Sequence, residues 1–202
     1  MEEHPKPFVS RGGQKLAAAL SGFGLDVTGC VCADFGCNVG GFTDCLLQRG
    51  AARVYAVDTG YGTLAWTLRK DPRVVVMERT NALHVAPPEP VDLVAVDVAW
   101  TCQEYIVPAA MNWLRPARPG GDLPCVVSLL KPHYEQARLE AKGPRRRGLS
   151  DDEADEVLRR VSAALAEKGW SVRRSLRSPI RGKGGNVEYM LLLTADLQRG
   201  RQ

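Results

Sequence analysis

Long apolar runs are what the sequence has least of. No apolar run approaches the roughly 18 residues that a spanning helix needs. The N-terminus, Met-Glu-Glu-His-Pro-Lys, has no apolar core, so no secretory signal is read there. Histidine is scarce: the 3 present, His4, His84 and His133, show no ligand spacing, and no metal site is read from them. The 6 cysteines form no CxxC pair and mostly sit inside apolar runs, as small buried thiols of a reducing compartment do. Disulfides and zinc are therefore not expected, and the cytoplasm is the expected location. Internal repeats, low-complexity tracts and a domain linker are absent too. The 202 residues suit one domain, 1–202, with 1–9 and 195–202 as tails.

What is present is ordinary in bulk and uneven in detail. Hydrophobic residues make up 45% and charged residues 25%, the composition of a globular domain. The net charge is only +4, but residues 1–100 carry 9 Lys and Arg against 11 Asp and Glu, and residues 101–202 carry 18 against 12. Two basic clusters stand out, 138–147 (Arg138, Lys142, Arg145, Arg146, Arg147) and 173–183 (Arg173, Arg174, Arg177, Arg181, Lys183). Such clusters suit a phosphate backbone, although on charge alone a solvated arginine-rich face is the commoner explanation.

Apolar segments recur at 31–35, 54–57, 74–77, 93–98, 125–130, 172–176 and 187–193, several of them valine-rich and continuous, as strands covered on both faces should be. Helices are expected between them at 42–49, 61–68, 103–114 and 151–168, with a short helix capped by Ser10 near the start. The 151–168 helix has the clearest signature: Ser150 as cap, acids in the first turn, and Ala154, Val157, Leu158, Val161 and Leu165 at helical spacing. Alternating strands and helices imply a doubly wound α/β sheet with helices on both faces. Only a loop, 178–186, joins the last two strands, too short for a parallel crossover, so the seventh strand should run antiparallel. That Rossmann-like arrangement is typical of class I S-adenosylmethionine (SAM) dependent methyltransferases. The Pro/Gly/Arg-rich stretch 137–148 is expected to be the most flexible part.

The stretch Asp34-Phe-Gly36-Cys-Asn-Val-Gly40-Gly41-Phe42 follows the first strand and opens a helix. A dinucleotide fold wants G-x-G-x-x-G, but position 38, where its second glycine would fall, is Asn. SAM carries no phosphate and needs close backbone passage past methionine and ribose, which Gly36, Gly40 and Gly41 are expected to permit. Asp34 is placed to meet the α-ammonium, Asp58 at the tip of the second strand to take the ribose diol, and Asn81 to read the adenine edge. A merely structural glycine turn is the competing explanation for the loop alone.

Four polar residues fall where elements end around that pocket: Lys15 on the first helix, Asp97 closing the fourth strand, Lys131 closing the fifth and Glu188 at the start of the last. In isolation Lys15 reads as a solvated helix lysine, and the two acids read as strand-end caps. Lys131 is less easily dismissed, because a lysine ending the apolar run 125–130 sits at the mouth of the sheet. Together two lysines and two acids can orient one amine against a substrate hydroxyl. Trp100 and Tyr134 near the same mouth suit either base stacking or ordinary packing.

Taken together, Ser-Arg-Gly-Gly-Gln-Lys15, the 34–44 loop, Val-Asp58-Thr-Gly-Tyr-Gly, Glu-Arg-Thr-Asn81, Val-Asp97-Val, Leu-Lys131-Pro and Gly-Lys-Gly-Gly-Asn-Val-Glu188 resemble the FtsJ-like RNA ribose methyltransferases, most of all their TlyA (hemolysin A) branch. The resemblance runs from about residue 9 to 193. It implies that Lys15, Asp97, Lys131 and Glu188 form a catalytic tetrad for RNA 2′-O-methylation, with Lys131 deprotonating or orienting the ribose hydroxyl. Asp97 and Glu188 would hold the ammonium groups, and Lys15 would position the substrate. It implies SAM as cofactor, on Asp34, Gly36, Gly40, Gly41, Phe42, Asp58, Asn81 and Asp97, and RNA as partner, ribosomal RNA in that branch. The branch usually carries a small S4-type RNA-binding domain before the Arg-Gly-Gly segment, where nine or ten residues stand here. RNA would then be gripped by the basic clusters or by a separate partner. Two other functions compete: a methyltransferase for a small molecule or protein, and a non-catalytic RNA- or SAM-binding module.

Overall fold

The computed structural model describes residues 7–117, 124–139 and 148–195, with only the backbone of residues 137–139, 183 and 195. Seven strands form one sheet: β1 (Val31–Phe35), β2 (Arg53–Val57), β3 (Val74–Met77), β4 (Leu93–Val96), β5 (Cys125–Leu130), β6 (Trp170–Arg177) and β7 (Tyr189–Ala195). Their order is β3-β2-β1-β4-β5-β7-β6. The first five pair in parallel, and β7 slots antiparallel between β5 and β6. The short 178–188 link dictates this reversal, because it can return the chain only beside the strand it has just left.

Six helices accompany the sheet among the described residues: α1 (Gly12–Phe23), α2 (Gly41–Gln48), α3 (Trp66–Arg69), α4 (Gln103–Met111), α5 (Pro132–Leu139) and α6 (Asp151–Glu167). Leu16, Leu20, Phe42 and Leu46 of α1 and α2 bury one face with Cys32, Val54, Ala95 and Val127. Ile106, Val107, Val157 and Leu165 of α4 and α6 cover the other with Ala33, Val94, Val126 and Leu191. Alternate residues of each central strand thus enter opposite cores, and this double burial is why those strands read as unbroken apolar runs. Full burial of each such aliphatic side chain contributes about 1.5–3 kcal/mol. Ser150 caps α6 in a complete capping box with Glu153.

Several sequence expectations are corrected here. Ser10 does not cap α1: its N-cap is Arg11, without a side-chain bond. The helix expected at 61–68 shrinks to the single turn of α3, and α5 forms where only a strand end and loop were foreseen, with Pro132 at its first position. Of the 137–148 stretch, residues 140–147 lie outside the described residues. Residues 7–9, expected in a tail, are tied to α2: the Val9 N–H donates to Asp44 Oδ2 (2.8 Å) and Gln48 Nε2 to the Pro7 carbonyl (3.0 Å). Ala195 closes β7 rather than opening a tail, and residues 1–6 and 196–202 lie outside the described residues. Among the described residues no helix is long and apolar enough to cross a membrane.

The connections from β1 and β4 leave their adjacent C-terminal ends in opposite directions across the sheet. Such a switch point opens a crevice beyond the strand ends, the usual ligand position in open α/β sheets.

Candidate active site

A cleft of about 560 Å³ occupies this crevice, lined by residues that follow β1, β2, β3, β4 and β5 and by α1. The glycine loop forms its floor, but the glycines serve a different purpose from the one expected. A Cβ on Gly36 (φ 82°) would lie 2.5 Å from the Asp97 carbonyl oxygen, one on Gly40 (φ 102°) would strike Leu64 and Leu68, and one on Gly41 would strike Ser10 Oγ. Protein, not ligand space, fills those directions: the glycines let the loop close against β4, α1 and α3. Gly36, Gly41 and Phe42 still line the cleft, and Gly40 does not. Asn38, which replaces the dinucleotide glycine, keeps a left-handed backbone (φ 47°), a conformation asparagine tolerates better than most residues.

Asp34 is fully buried at the end of β1. Its Oδ2 accepts from the Thr43 N–H and hydroxyl (2.8 and 2.7 Å), which pins the first turn of α2 to the strand. Its Oδ1 is buried with no hydrogen-bond partner among the described residues. Burial pushes the carboxyl up to about 7, against the opposing pull of the Thr43 hydrogen bonds and with help from the charges of Asp97 and Asp58. An orphaned acceptor in a cleft fits a cationic donor such as the α-ammonium of SAM. Asp58 anchors two loops at once, Oδ2 accepting from the Asn38 N–H (2.8 Å) and Oδ1 from the Gly60 N–H (2.6 Å), and retains lone pairs for a diol. Asn81 lines the cleft and uses Oδ1 to accept from the Leu83 N–H (3.0 Å).

The four residues distant in sequence form two ion pairs. Lys15 Nζ lies 2.5 Å from Glu188 Oε2, and Lys131 Nζ lies 2.6 Å from Asp97 Oδ1. Lys131 also donates to the Val98 carbonyl (3.1 Å). Lys15 and Glu188 are 9% and 4% exposed, so Lys15 is not the solvated lysine its helix suggests. Lys15, Asp97 and Lys131 line the cleft, and Glu188 stands behind Lys15. Gly182 is the reason Glu188 fits: a Cβ there would collide with the carboxylate.

Sequence reading missed Ser10, Thr59, Gly60 and Thr80, which also line the cleft; each is a short polar or glycine residue next to a motif residue, and only adjacency marked it. Trp100 stands at the rim, 82% exposed, its ring 5.2 Å from that of Tyr134. Tyr134 in turn lies against His133, whose imidazole is pushed towards neutrality by burial and by the Lys131 charge. Of the first basic cluster, residues 140–147 and the side chain of Arg138 lie outside the described residues. The second divides among several partners. Arg173 donates to Thr194 Oγ1, Arg174 to the Gly22 and Phe23 carbonyls at the end of α1, while Arg177 and Arg181 pair with Asp151 at the start of α6.

A doubly wound sheet with a reversed β7, and a nucleoside-sized cleft at its switch point, define a class I SAM-dependent methyltransferase. The cofactor of that class fits the orphaned Asp34 oxygen and the Asp58 carboxylate. Within the class the chain belongs to the FtsJ-like methyltransferases, whose family model matches residues 8–195. It is 42% identical over 200 residues to the 16S/23S rRNA (cytidine-2′-O)-methyltransferase TlyA of Mycobacterium tuberculosis, covering 96% of this chain and 71% of that protein. Its fold matches the solved structure of a "putative hemolysin" from Streptococcus thermophilus with a TM-score of 0.83 and 35% identity, over 96% of this chain and 69% of that one. Magnesium protoporphyrin IX methyltransferase from Synechocystis PCC 6803, solved with bound SAH, shares the fold alone (TM-score 0.57, 16% identity, 91% of this chain and 81% of that one).

Proposed function

We propose that this chain transfers the methyl group of SAM to a ribose 2′-hydroxyl of RNA, ribosomal RNA being the substrate named for its M. tuberculosis relative. The cytoplasm, where ribosomal RNA is met, is the proposed location. The observation that carries the reading is the pairing of Lys15 with Glu188 and of Lys131 with Asp97 at one cleft, from elements at opposite ends of the chain.

SAM, when bound, would supply a methyl group on a sulfonium, from which the neutral thioether departs without acid assistance. Asp34, the Gly36–Gly41 loop, Asp58 and Asn81 are the residues proposed to hold it. The chain's own work is on the nucleophile, because a ribose hydroxyl is weak until its proton is drawn away. Lys131 suits that role by geometry. As a neutral amine it has two N–H groups and one lone pair. One N–H is donated to the Val98 carbonyl, Asp97 Oδ1 lies 2.6 Å away as the charge partner, and the lone pair is left for the hydroxyl proton. As an ammonium the same atom donates an N–H to the hydroxyl oxygen and orients it. Lys15, held by Glu188, presents a fixed positive charge to the ribose-phosphate. Most of the acceleration then comes from positioning and preorganised charge. We assign Trp100 and Tyr134 to the rim against which a splayed base stacks.

The test is transfer of label from radioactive SAM to total RNA, comparing the wild-type protein with Lys131→Ala. Label in the ribose of RNA with wild type and at least about a hundredfold less with the variant is expected. Label absent from RNA, or equal with both proteins, refutes the reading.

A further inference from the structure

Gln103 is a buried polar residue that does not line the cleft. Gln103, the first residue of α4, is 3% exposed. Its Oε1 accepts from Ser128 Oγ (2.7 Å) and its Nε2 donates to the Leu129 carbonyl (3.3 Å). Its backbone N–H, which no side chain of its own helix cap satisfies, donates to Glu135 Oε1 (2.8 Å). An amide is costly to bury, and a methionine would fill the same volume without that cost.

The three partners explain what the amide secures. Pairing of β4 with β5 ends at Val96 opposite Ser128, and the β4 chain then turns away to place Asp97 and Val98. Leu129 and Leu130 run on beyond this last pair and deliver Lys131. Past that point β4 no longer fixes the segment bearing Asp97 against the end of β5. The Asp97 N–H donates to the Phe35 carbonyl of β1 (2.9 Å), and six residues on Gln103 ties the chain back to the end of β5. Its side chain grips two residues before Lys131, and its backbone is gripped by one after it. Apolar packing alone is non-directional and tolerates sliding, whereas a donor and an acceptor set on consecutive residues fix one register.

We propose that Gln103 is a positioning residue for methyl transfer: it ties the segment that follows Asp97 and Val98 to β5, so that Lys131 Nζ keeps its ion pair with Asp97 and its bond to the Val98 carbonyl. The inference rests on the reaction proposed above. Gln103 does not line the cleft, so its removal should leave cofactor binding alone. A shift of an ångström in reacting geometry costs up to about a hundredfold in rate.

The experiment measures RNA methylation kinetics, SAM affinity and melting temperature for wild type, Lys131→Ala, Gln103→Met, Ser128→Ala, and Gln103→Met with Ser128→Ala. The double variant leaves no unpaired hydroxyl opposite the methionine and guards against simple destabilisation. Expected for Gln103→Met and for the double variant is a kcat fall of about tenfold to a hundredfold, with SAM affinity within about twofold of wild type. Ser128→Ala, which removes one of the three bonds, should fall less. An unchanged kcat in Gln103→Met, or a kcat loss matched by equal losses of SAM affinity and melting temperature and recovered in the double variant, overturns the inference. Wild-type protein that never labels RNA would instead overturn the proposed reaction. Labelling by wild type, none by Lys131→Ala and full activity in Gln103→Met overturns only the positioning role.

Discussion

Replacing Asp34 by asparagine tests how the cleft is prepared for its cofactor. Burial raises the Asp34 carboxyl from 3.8 to about 7, and at about 1.4 kcal/mol per pH unit this amounts to about 4 kcal/mol. The sign follows from which state holds the proton. From pH 4 to 7 the folded protein keeps a proton that the unfolded chain has released, so its stability falls as pH rises and the full penalty is present above 7. A cofactor ammonium beside Oδ1 removes that penalty, because it favours the charged carboxylate. Binding below pH 7 therefore expels one proton, and SAM affinity should climb about tenfold per pH unit from 5.5 towards 7 before levelling. It should decline again as the cofactor's own amine deprotonates, near pH 8 for an ordinary α-amino group. Titration calorimetry in buffers of different ionisation enthalpy counts the released proton directly. Asp34→Asn, which can still accept from Thr43, should bind SAM more weakly with no climb below pH 7. Unliganded, it should be more stable than wild type at pH 8 and no more stable at pH 4. A wild-type affinity that is flat from pH 5.5 to 7, or a variant that keeps the slope, refutes the assignment of Asp34 to the ammonium.

Two further substitutions probe backbone geometry. Gly182→Ala drives a methyl group into the Glu188 carboxylate, so it should break the Lys15 ion pair; we expect a loss of about 1–3 kcal/mol in stability by denaturant melting and a larger proportional loss in RNA methylation than in SAM binding. An unaffected methylation rate would remove Glu188 from the proposed machinery. Asn38→Ala must hold a left-handed backbone at φ 47°, which should cost about 1 kcal/mol and weaken SAM binding, while Asn38→Gly should melt close to wild type. If alanine and glycine behave alike there, the loop conformation is not what position 38 serves.

Much of the fold was legible because the determinants are local. Valine-rich runs bounded by turn residues located all seven strands within a few positions, and Ser150 with Glu153 marked the start of α6 because a capping box needs only neighbouring residues. The errors fell where tertiary contact overrides local preference. Ser10 looked like a helix cap, yet its hydroxyl packs against Gly41 across the α1–α2 contact. The loop glycines looked like room for a ligand, but their open sides are taken by Leu64, Leu68 and the Asp97 carbonyl. Gln103 drew no notice at all, because an isolated glutamine in an amphipathic segment carries no signal until its partners on β5 and α5 are known.

The sequence by itself determined the alternation of strands and helices, the reversal of the last strand and the residue types gathered around the cleft, since periodicity, capping and loop length act over a few residues. Only the tertiary structure decided that Lys15 meets Glu188 and Lys131 meets Asp97, and that Arg173, Arg174 and Arg177 bond to β7, α1 and α6 respectively. Those outcomes depend on strand order and register, which bring residues up to 173 positions apart within a hydrogen-bond length.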